Sequence, residues 1–260
     1  EPEGRKERAI NVVKNIGYDI QEVGINTSGR SWDIDHSGQL VQPLTSIKGL
    51  GDKAMDQILQ NRPFKNVEDF LFNEDVSYSK LNKKALDVLV RSGACDSIAD
   101  DRFKHCKHLW LSTVNDRPKN KKRLEDNITK YQSEPDFTEE ERIENIVSLT
   151  GIFPFELVMD KKVRERIEHN CVPPVAQFDK DLRLCWLIPR NITVRQTKNG
   201  RTFWILTVID DTCQSTDIKC WNARAEDKVH LNRPYIAKLD YDEQWGFSTR
   251  SVKHNFKLVG

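Results

Sequence analysis

Residues 43–62 read PLTSIKGLGDKAMDQILQNR, in which a short amphipathic segment enters the turn Gly49–Gly51 and a second helical segment leaves it. Two glycines around one apolar residue allow a tight turn and leave backbone N–H groups accessible. Asp52 is a candidate N-cap for the second helix, whose dipole would then point towards the turn. Helix N-terminal amides, with Lys48 and Lys53 beside them, predict a binding site for a phosphate oxygen.

This stretch has the helix-hairpin-helix pattern, in which apolar residues on both sides of a turn hold two helices together. Those residues are Ile47, Leu50, Ala54 and Ile58. The pattern predicts a contact with the DNA backbone that does not depend on base sequence. The residues predicted to make this contact are Lys48, Gly49, Leu50, Gly51 and Lys53. The alternative is an ordinary pair of helices in which a glycine ends the first one.

Composition limits the class of protein. The chain has 260 residues, enough for about two domains, and a net charge of only +1 from 41 basic and 40 acidic residues. Any DNA-binding surface must therefore be a local concentration of positive charge. No run approaches the ~18 apolar residues of a membrane span, and there is no initial methionine or signal-like region. We expect a cytoplasmic piece of a longer protein, without a membrane partner.

Two groups of residues could hold a metal, and in both cases the sequence favours another role. The six cysteines contain no CxxC pair, which predicts free thiols in a reducing compartment. The candidate zinc ligands are Cys95, His105, Cys106 and His108, but their spacing matches no common structural zinc site. Asp33 and Asp35 form a DxD sequence that could bind a divalent cation, although its Gly, Ser and His neighbours favour a turn.

Apolar residues at helical spacing predict a small all-α unit from Pro43 to Ile98 and one more helix over residues 101–114. Asn66 is placed to cap a helix, and Gly93 lies where a left-handed residue ends one. The unit has a basic side that either contacts DNA or is a solvated helix face, formed by Asn82, Lys83, Lys84 and Arg91.

The following segment, residues 115–136, is hydrophilic. It contains a basic cluster formed by Lys119, Lys121, Lys122 and Arg123. We predict a mobile or partly helical connector there. The capping-box sequence that starts at Thr138 predicts a further helix.

From Leu182 onward the apolar pattern changes from that of helices to that of strands, and Asn199-Gly200 is a strong hairpin signal. The predicted strands are residues 184–194, 202–209, 216–221, 235–240 and 256–259, with a short helix over 223–230 between the third and fourth. This order predicts a five-stranded OB-fold barrel. Such barrels bind single-stranded nucleic acid by stacking bases on aromatic rings over a positively charged groove.

The candidate single-strand contacts in this half are basic and aromatic side chains: Arg190, Arg195, Lys198, Arg201, Trp204, Lys219 and Trp221. Arg195, Lys198 and Arg201 cluster at the predicted hairpin and are the stronger candidates, with a solvated loop tip as the alternative. Each tryptophan has the barrel core as its alternative, because strand alternation alone does not say which face is which.

Several phrases occur in a specific order: INTS (25–28), LTSIKGLG (44–51), PFKNVEDF (63–70), LNKKAL (81–86), SGACDS (92–97), TKNGR (197–201) and VIDD (208–211). Together they resemble the C-terminal part of the alpha (polymerase) subunit of bacterial DNA polymerase III. The resemblance covers almost the whole chain and is weakest over residues 110–180. The family's Gly-His-Pro phrase is missing at GIFPF (151–155), which indicates a divergent member, bacterial or viral.

The resemblance implies a multidomain chain. Its expected parts are the end of a fingers-like region (1–42), a helix-hairpin-helix DNA-binding domain (43–114), a charged connector with helices (115–180) and an OB-fold domain (181–260). The hairpin would hold duplex backbone and the OB domain would lie near single-stranded template, within a DNA-directed DNA polymerase. The family's palm carboxylates, which bind Mg²⁺, precede this segment, so we expect neither a catalytic residue nor a cofactor in this chain.

The implied partners are duplex DNA, single-stranded DNA, the palm and fingers portion of the polymerase and a sliding clamp. The family's clamp peptide is a Gln followed by apolar residues and a Phe. Its nearest match, from Gln132 to Phe137, lacks the aliphatic residue that fills the clamp pocket. The alternative function is a docking platform for clamp or replisome subunits with weak DNA binding.

Overall fold

A computed structural model of the chain describes Val13 and residues 20–77, 79–212, 214–224 and 226–259. These residues form two compact units, one within Ile16–Phe153 and one from Pro154 onward, each with its own hydrophobic core. Residues 1–12 and 14–19 of the predicted fingers-like region lie outside the described residues. Among the described helices, none has the length and apolar character needed to cross a lipid bilayer.

The first unit consists of helices around one core and a small three-stranded sheet. The helices are α1 (Asp52–Asn61), α2 (Val67–Phe72), α3 (Lys83–Arg91), α4 (Cys106–Trp110), α5 (Lys121–Tyr131) and α6 (Glu139–Thr150). A π-helical segment, Leu111–Asn115, continues α4, and short 3-10 helices occur at Leu44–Ser46 and Asp96–Ile98. In the sheet, β1 (Ile20–Gln21) is parallel to β3 (Leu40–Val41), and β2 (Asp33–Ile34) is antiparallel to β3.

Three predicted helix signals are confirmed. The side chain of Asn66 accepts a hydrogen bond from the N–H of Asp69 and so caps α2. Thr138 and Glu141 form the capping box that begins α6. Gly93 has a φ of +82°, the left-handed conformation expected just after α3.

One helical prediction is corrected at its start, and the prediction for the connector is made more precise. The helix predicted over residues 101–114 begins only at Cys106, because the His105 side chain accepts from the N–H of His108 and caps it. The segment predicted as a mobile or partly helical connector contains the regular helix α5, which buries Leu124 and Ile128. Apolar residues four apart give α5 a core-facing side despite its many charges.

Part of the predicted basic cluster is paired with acidic residues. Lys121 Nζ lies 2.8 Å from Glu68 Oε1, which ties α5 to α2. This hydrogen bond holds the pKa of the Glu68 carboxyl below its usual value. Lys121 therefore serves the packing of the helical unit, whereas Lys119 and Lys122 are exposed.

The second unit is built on a seven-stranded sheet. The strands are β4 (Leu184–Gln196), β5 (Thr202–Ile209), β6 (Thr216–Trp221), β7 (Tyr235–Lys238), β8 (Asp240–Asp242), β9 (Gly246–Thr249) and β10 (Phe256–Leu258). Their order is β10-β7-β4-β5-β6-β9-β8, and every neighbouring pair is antiparallel except β6 and β9. The helices are α7 (Phe155–Val158), α8 (Lys161–His169) and α9 (Val252–Asn255), with a 3-10 turn at Val175–Gln177.

The sheet curls around its longest strand. In β4, Leu184–Leu187 pair with β7 and Ile188–Gln196 pair with β5, and the register shifts between Pro189 and Asn191. A bulge bends a strand and increases its twist, so β4 can pair with different neighbours along its length. The side chains on the inner side of the curl form the core of this unit.

All five predicted strands are present, and the structure adds β8 and β9. Their turn is closed by Asp242, whose carboxylate accepts from the N–H groups of Gln244 and Trp245, and by Gly246 at a φ of +73°. These strands have only three and four residues, too few for a clear alternation. The described residues within 223–230 are irregular, with one turn at Glu226, and contain no part of the predicted helix. The fold is a helical region followed by a curled seven-stranded sheet.

Candidate nucleic-acid interface

The hairpin is formed by a 3-10 turn, a left-handed glycine and the start of α1. Leu44–Ser46 make a single 3-10 turn where a first helix is predicted, and Gly49 has a φ of +91° that favours glycine. Gly51 occupies the N-cap with an extended backbone, so Asp52 is the first helical residue and not the predicted cap. The Asp52 carboxylate still interacts favourably with the positive end of the helix dipole.

The apolar residues predicted to hold the hairpin are buried, which confirms this part of the pattern. Ile47, Leu50, Ala54 and Ile58 are at most 9% exposed. The N–H of Lys48 donates to a carbonyl oxygen at the end of α6 over 2.8 Å, which fixes the turn against that helix. The turn is therefore a rigid platform inside the helical unit.

Backbone donors at this turn remain available. Among the described residues, the N–H groups of Gly49, Gly51, Asp52 and Lys53 have no hydrogen-bond partner. The first N–H groups of a helix have no acceptor within it, and with the dipole they attract anions. The side chains of Lys48 and Lys53 are exposed beside these donors. This arrangement can bind a phosphate without touching a base.

Two carboxylates at the same end of α1 are held by an arginine. Arg30 Nη1 lies 3.4 Å from Asp52 Oδ1, and Nη2 is hydrogen-bonded to Asp56. The hydrogen bond that Arg30 donates to Asp56, followed by the negative charge of Asp56, raises the pKa of Arg30 above its ordinary value. The guanidinium offsets negative charge that would otherwise repel a phosphate near the hairpin.

One face of the curled sheet carries aromatic and basic side chains. The register places Phe203 opposite Trp221, with ring centroids 4.7 Å apart and ring planes at 33°. On the other edge of β5, Arg195 of β4 is the register partner of Phe203. Lys219 donates through Nζ to the carbonyl oxygen of Trp245 over 2.8 Å, and the Trp245 ring is 63% exposed. We call these five residues the aromatic face.

The structure places Trp204 on the opposite face from the other candidates. It pairs with Cys220, is 8% exposed and belongs to the core of this unit together with Leu206 and Ile218. Successive residues of β5 point to opposite sides of the sheet, so Phe203 and Trp204 must differ in this way. The Trp204 ring is not accessible for stacking on a base.

The basic candidates differ in how they are held. Lys198 and Arg201 are exposed around Gly200, whose φ of +75° turns the β4–β5 hairpin. Within the described part of the chain, neither of them nor Arg195 forms an ion pair. Arg190 lies at the bulge of β4 and is hydrogen-bonded to Asn232 Oδ1. The three residues of the hairpin cluster thus present unpaired positive charge.

Phe203 and Trp245 are the aromatic residues that the sequence interpretation misses. Strand alternation could have made Phe203 a candidate. Phe203 and Trp204 are adjacent in β5, so their side chains point to opposite faces of the sheet, and when one is in the core the other is not. Trp245 lies in the turn between β8 and β9, for which the sequence offers no clear strand signal.

The candidate clamp residues belong to the helical unit. Gln132 is exposed at the C-cap of α5. Phe137 is half-buried, with its ring 6.3 Å from that of Trp110 in an edge-on arrangement and Lys107 Nζ 5.7 Å from its centroid. Clamp binding by these two residues stays a prediction.

The candidate metal ligands take part in packing and turns. His108 is buried, and its ring accepts from the N–H of Lys104 and donates to a carbonyl oxygen of α5. Asp35 accepts from the N–H groups of Ser37 and Gln39, confirming the predicted turn. The Ser37 hydroxyl, then these N–H groups, hold the pKa of Asp35 below its usual range. No group of three His, Cys, Asp or Glu in the described part of the chain is placed to hold a metal.

Known proteins match the helical unit of this chain. Residues 17–105 match the family model described as the helix-hairpin-helix motif. The DNA polymerase III subunit alpha of Pseudomonas fluorescens is 33% identical over 92 residues, which make up 34% of this chain and 8% of that protein.

Two further relatives extend the match. The DNA polymerase III subunit alpha of Helicobacter pylori strain 26695 is 30% identical over 125 residues, 44% of this chain and 10% of the relative. That of Buchnera aphidicola subsp. Schizaphis graminum is 28% identical over 157 residues, 59% of this chain and 12% of the relative. The matches lie in the N-terminal part of the chain. The matched residues span about a tenth of the length of these curated relatives.

Proposed function

We propose, from the relationship of this chain to the alpha subunits of bacterial DNA polymerase III, that it is a C-terminal DNA-binding portion of a replicative polymerase. The observation that carries the proposal is the set of accessible backbone donors at the hairpin, within the residues that match the helix-hairpin-helix family. In this proposal Lys48, Gly49, Leu50, Gly51 and Lys53 form the contact with duplex backbone. The polymerase reaction is assigned to other parts of such a protein.

The second unit is proposed to hold single-stranded template. Its connectivity supports an OB-like barrel, since β4 pairs with β5 along one part and with β7 along another, and β5 and β6 form a continuous antiparallel pair. In OB folds, the second and third strands and the loops beside them bind nucleic acid. The aromatic face lies on β5 and β6, next to the basic hairpin of Lys198 and Arg201. Stacking on rings beside positive charge suits a single strand of any sequence.

DNA is favoured over a clamp as the main partner. The Phe137 ring packs against Trp110 in the helical unit, so insertion into a clamp pocket would require this contact to be broken. The hairpin donors and the basic β4–β5 hairpin need no such rearrangement to meet a phosphate.

A crossed pair of charge reversals tests the proposal. Lys48→Glu with Lys53→Glu should weaken binding of a fluorescent duplex, whereas Lys198→Glu with Arg201→Glu should weaken binding of a fluorescent single strand. Fluorescence anisotropy of the full chain at several salt concentrations measures both affinities. The magnitude of the slope of log affinity against log salt should fall by about 1 for the duplex, because the hairpin phosphate contact is lost, and by about 1.4 for the single strand, because two phosphate contacts are lost. Unchanged duplex binding by a folded Lys48/Lys53 variant would show that the hairpin does not hold DNA.

A further inference from the structure

The hairpin forms one wall of an open groove of about 970 Å³, and the start of a second helix forms the other wall. Gly49, Gly51 and Lys53 line the first wall. The second wall contains Lys80 and Asn82, just before α3, and Lys84 in its first turn. Two helix N-termini therefore border the same groove, each with N–H groups that no acceptor in its own helix can satisfy.

Lys84 lies directly beside the hairpin. A methyl group built on Gly49 would be 3.7 Å from Lys84 Cε and 3.6 Å from a side-chain carbon of Val88. The ammonium group of Lys84 is one bond beyond this carbon, so it lies close to the backbone donors of the turn. The two walls thus present their positive charge to the same part of the groove.

A buried glutamine supplies a donor between the walls. Gln57 lines the groove but is only 6% exposed, and its Oε1 accepts from the N–H of Ser77 over 2.7 Å. That bond fixes the amide orientation, so the free end of the side chain is the NH₂ group. Nε2 has no partner in the described chain and is not among its fully enclosed unsatisfied atoms. Nε2 therefore opens into the groove, where it is available to donate to a ligand oxygen.

The charge of the groove favours an anion. Its cationic side chains are Lys53, Lys80 and Lys84, and its anionic side chains are Asp52 and Asp56. Arg30 is bonded to both aspartates and brings the cations to four against two anions. The surplus of positive charge lies on the side of the groove where Lys80 and Lys84 face the hairpin.

We propose that this groove binds the sugar-phosphate backbone of one DNA strand between the two helix N-termini. The hairpin holds one phosphate, and Lys80, Lys84 and the NH₂ group of Gln57 bind a neighbouring one. The inference rests on the proposed function and adds three residues to its duplex site. Lys80 and Lys84 lie outside the hairpin sequence, and Gln57 lies on α1, beyond the turn.

The test uses the full chain, a fluorescent duplex and two variants of the groove. Lys80→Ala with Lys84→Ala should reduce the magnitude of the slope of log affinity against log salt by about 1, because one phosphate contact is lost. Gln57→Glu keeps an oxygen to accept from Ser77 but replaces the free donor by a carboxylate. It should weaken duplex binding at least as much as loss of one lysine, with an unchanged circular dichroism spectrum. The matched control is Lys119→Ala with Lys122→Ala, which removes two exposed lysines outside the groove and should leave duplex binding close to wild type.

The outcomes separate this inference from the proposed function. If Lys48→Glu with Lys53→Glu abolishes duplex binding while both groove variants bind as wild type, the hairpin contact stands and the groove inference is wrong. If neither the hairpin nor the groove variants change duplex binding, both are wrong. If the Lys119/Lys122 control weakens duplex binding as much as the Lys80/Lys84 variant does, only total charge matters, which also overturns the inference.

Discussion

The hairpin and the aromatic face present their binding groups in different ways. At the hairpin, the donors are the backbone N–H groups of four nearby residues, Gly49, Gly51, Asp52 and Lys53, and their positions follow from one left-handed glycine and one helix start. On the aromatic face, the groups are side chains from β4, β5, β6 and the β8–β9 turn, which meet only through strand register. The positions of the hairpin donors thus depend on local backbone conformation, whereas the positions of the aromatic-face side chains depend on strand pairing.

This difference decides how each site responds to substitution. In the proposed function neither surface would read base sequence, because phosphate contacts and stacking are available to any nucleotide. Damage to the hairpin requires a change of backbone conformation or of charge. On the sheet, by contrast, adjacent residues of one strand have separate roles, since one faces the core and the next faces solvent.

The largest expected effect separates the two faces of β5. Trp204→Ala should lower the free energy of unfolding of the second unit by about 3–5 kcal/mol, because it empties a buried position. Trp221→Ala, at a half-exposed position, should lower the free energy of unfolding clearly less. Urea unfolding followed by far-ultraviolet circular dichroism measures both, and equal losses would contradict the assignment of the faces.

The second effect concerns binding by the same tryptophans. Trp221→Ala should weaken binding of a fluorescent single strand by about 1–3 kcal/mol, the range measured for one stacked base. Trp204→Phe, which keeps an aromatic ring in the core, serves as the control and should leave single-strand affinity near wild type. A loss of affinity in the control alone would place the binding surface on the other side of the sheet.

The smallest effect tests the hairpin through its two glycines. Gly49→Ala should lower the free energy of unfolding of the helical unit by about 1–2 kcal/mol, because alanine is strained at a φ of +91°. Gly51→Ala makes the same chemical change at a φ of −80°, with no atom within 4 Å of the added carbon, and should cost only about 0.5 kcal/mol. Thermal unfolding of the two variants compares them, and a reversed order would refute the role given to Gly49.

Much of the helical unit follows from its sequence. The caps at Asn66 and Thr138 and the left-handed Gly93 each depend on side chains or conformations within a few residues, so the pattern predicts them correctly. The N-cap at the hairpin is the exception. Asp52 has the better capping side chain, but the extended backbone of Gly51 already provides the helix start, and Asp52 is instead paired with Arg30.

The sheet is less predictable. Five strands are long enough to show in the sequence, while the hairpin of β8 and β9 is not, and Trp245 is missed with it. Between the third and fourth strands, the described residues within 223–230 are irregular where the sequence predicts a helix. Trp204 and Trp221 look alike in the sequence, and only the register gives one to the core and the other to the aromatic face.

The hairpin, its buried apolar contacts and the change from helices to strands near Leu182 can be predicted, because they depend on neighbouring residues and on the period of apolar side chains. Which tryptophan is accessible, and which residues border the hairpin, depend on how the elements pack. Gln57 and Lys84 are far apart in the chain and reach one groove because α1 and α3 border it together. Contacts of this kind arise from packing, and no local pattern in the sequence encodes them.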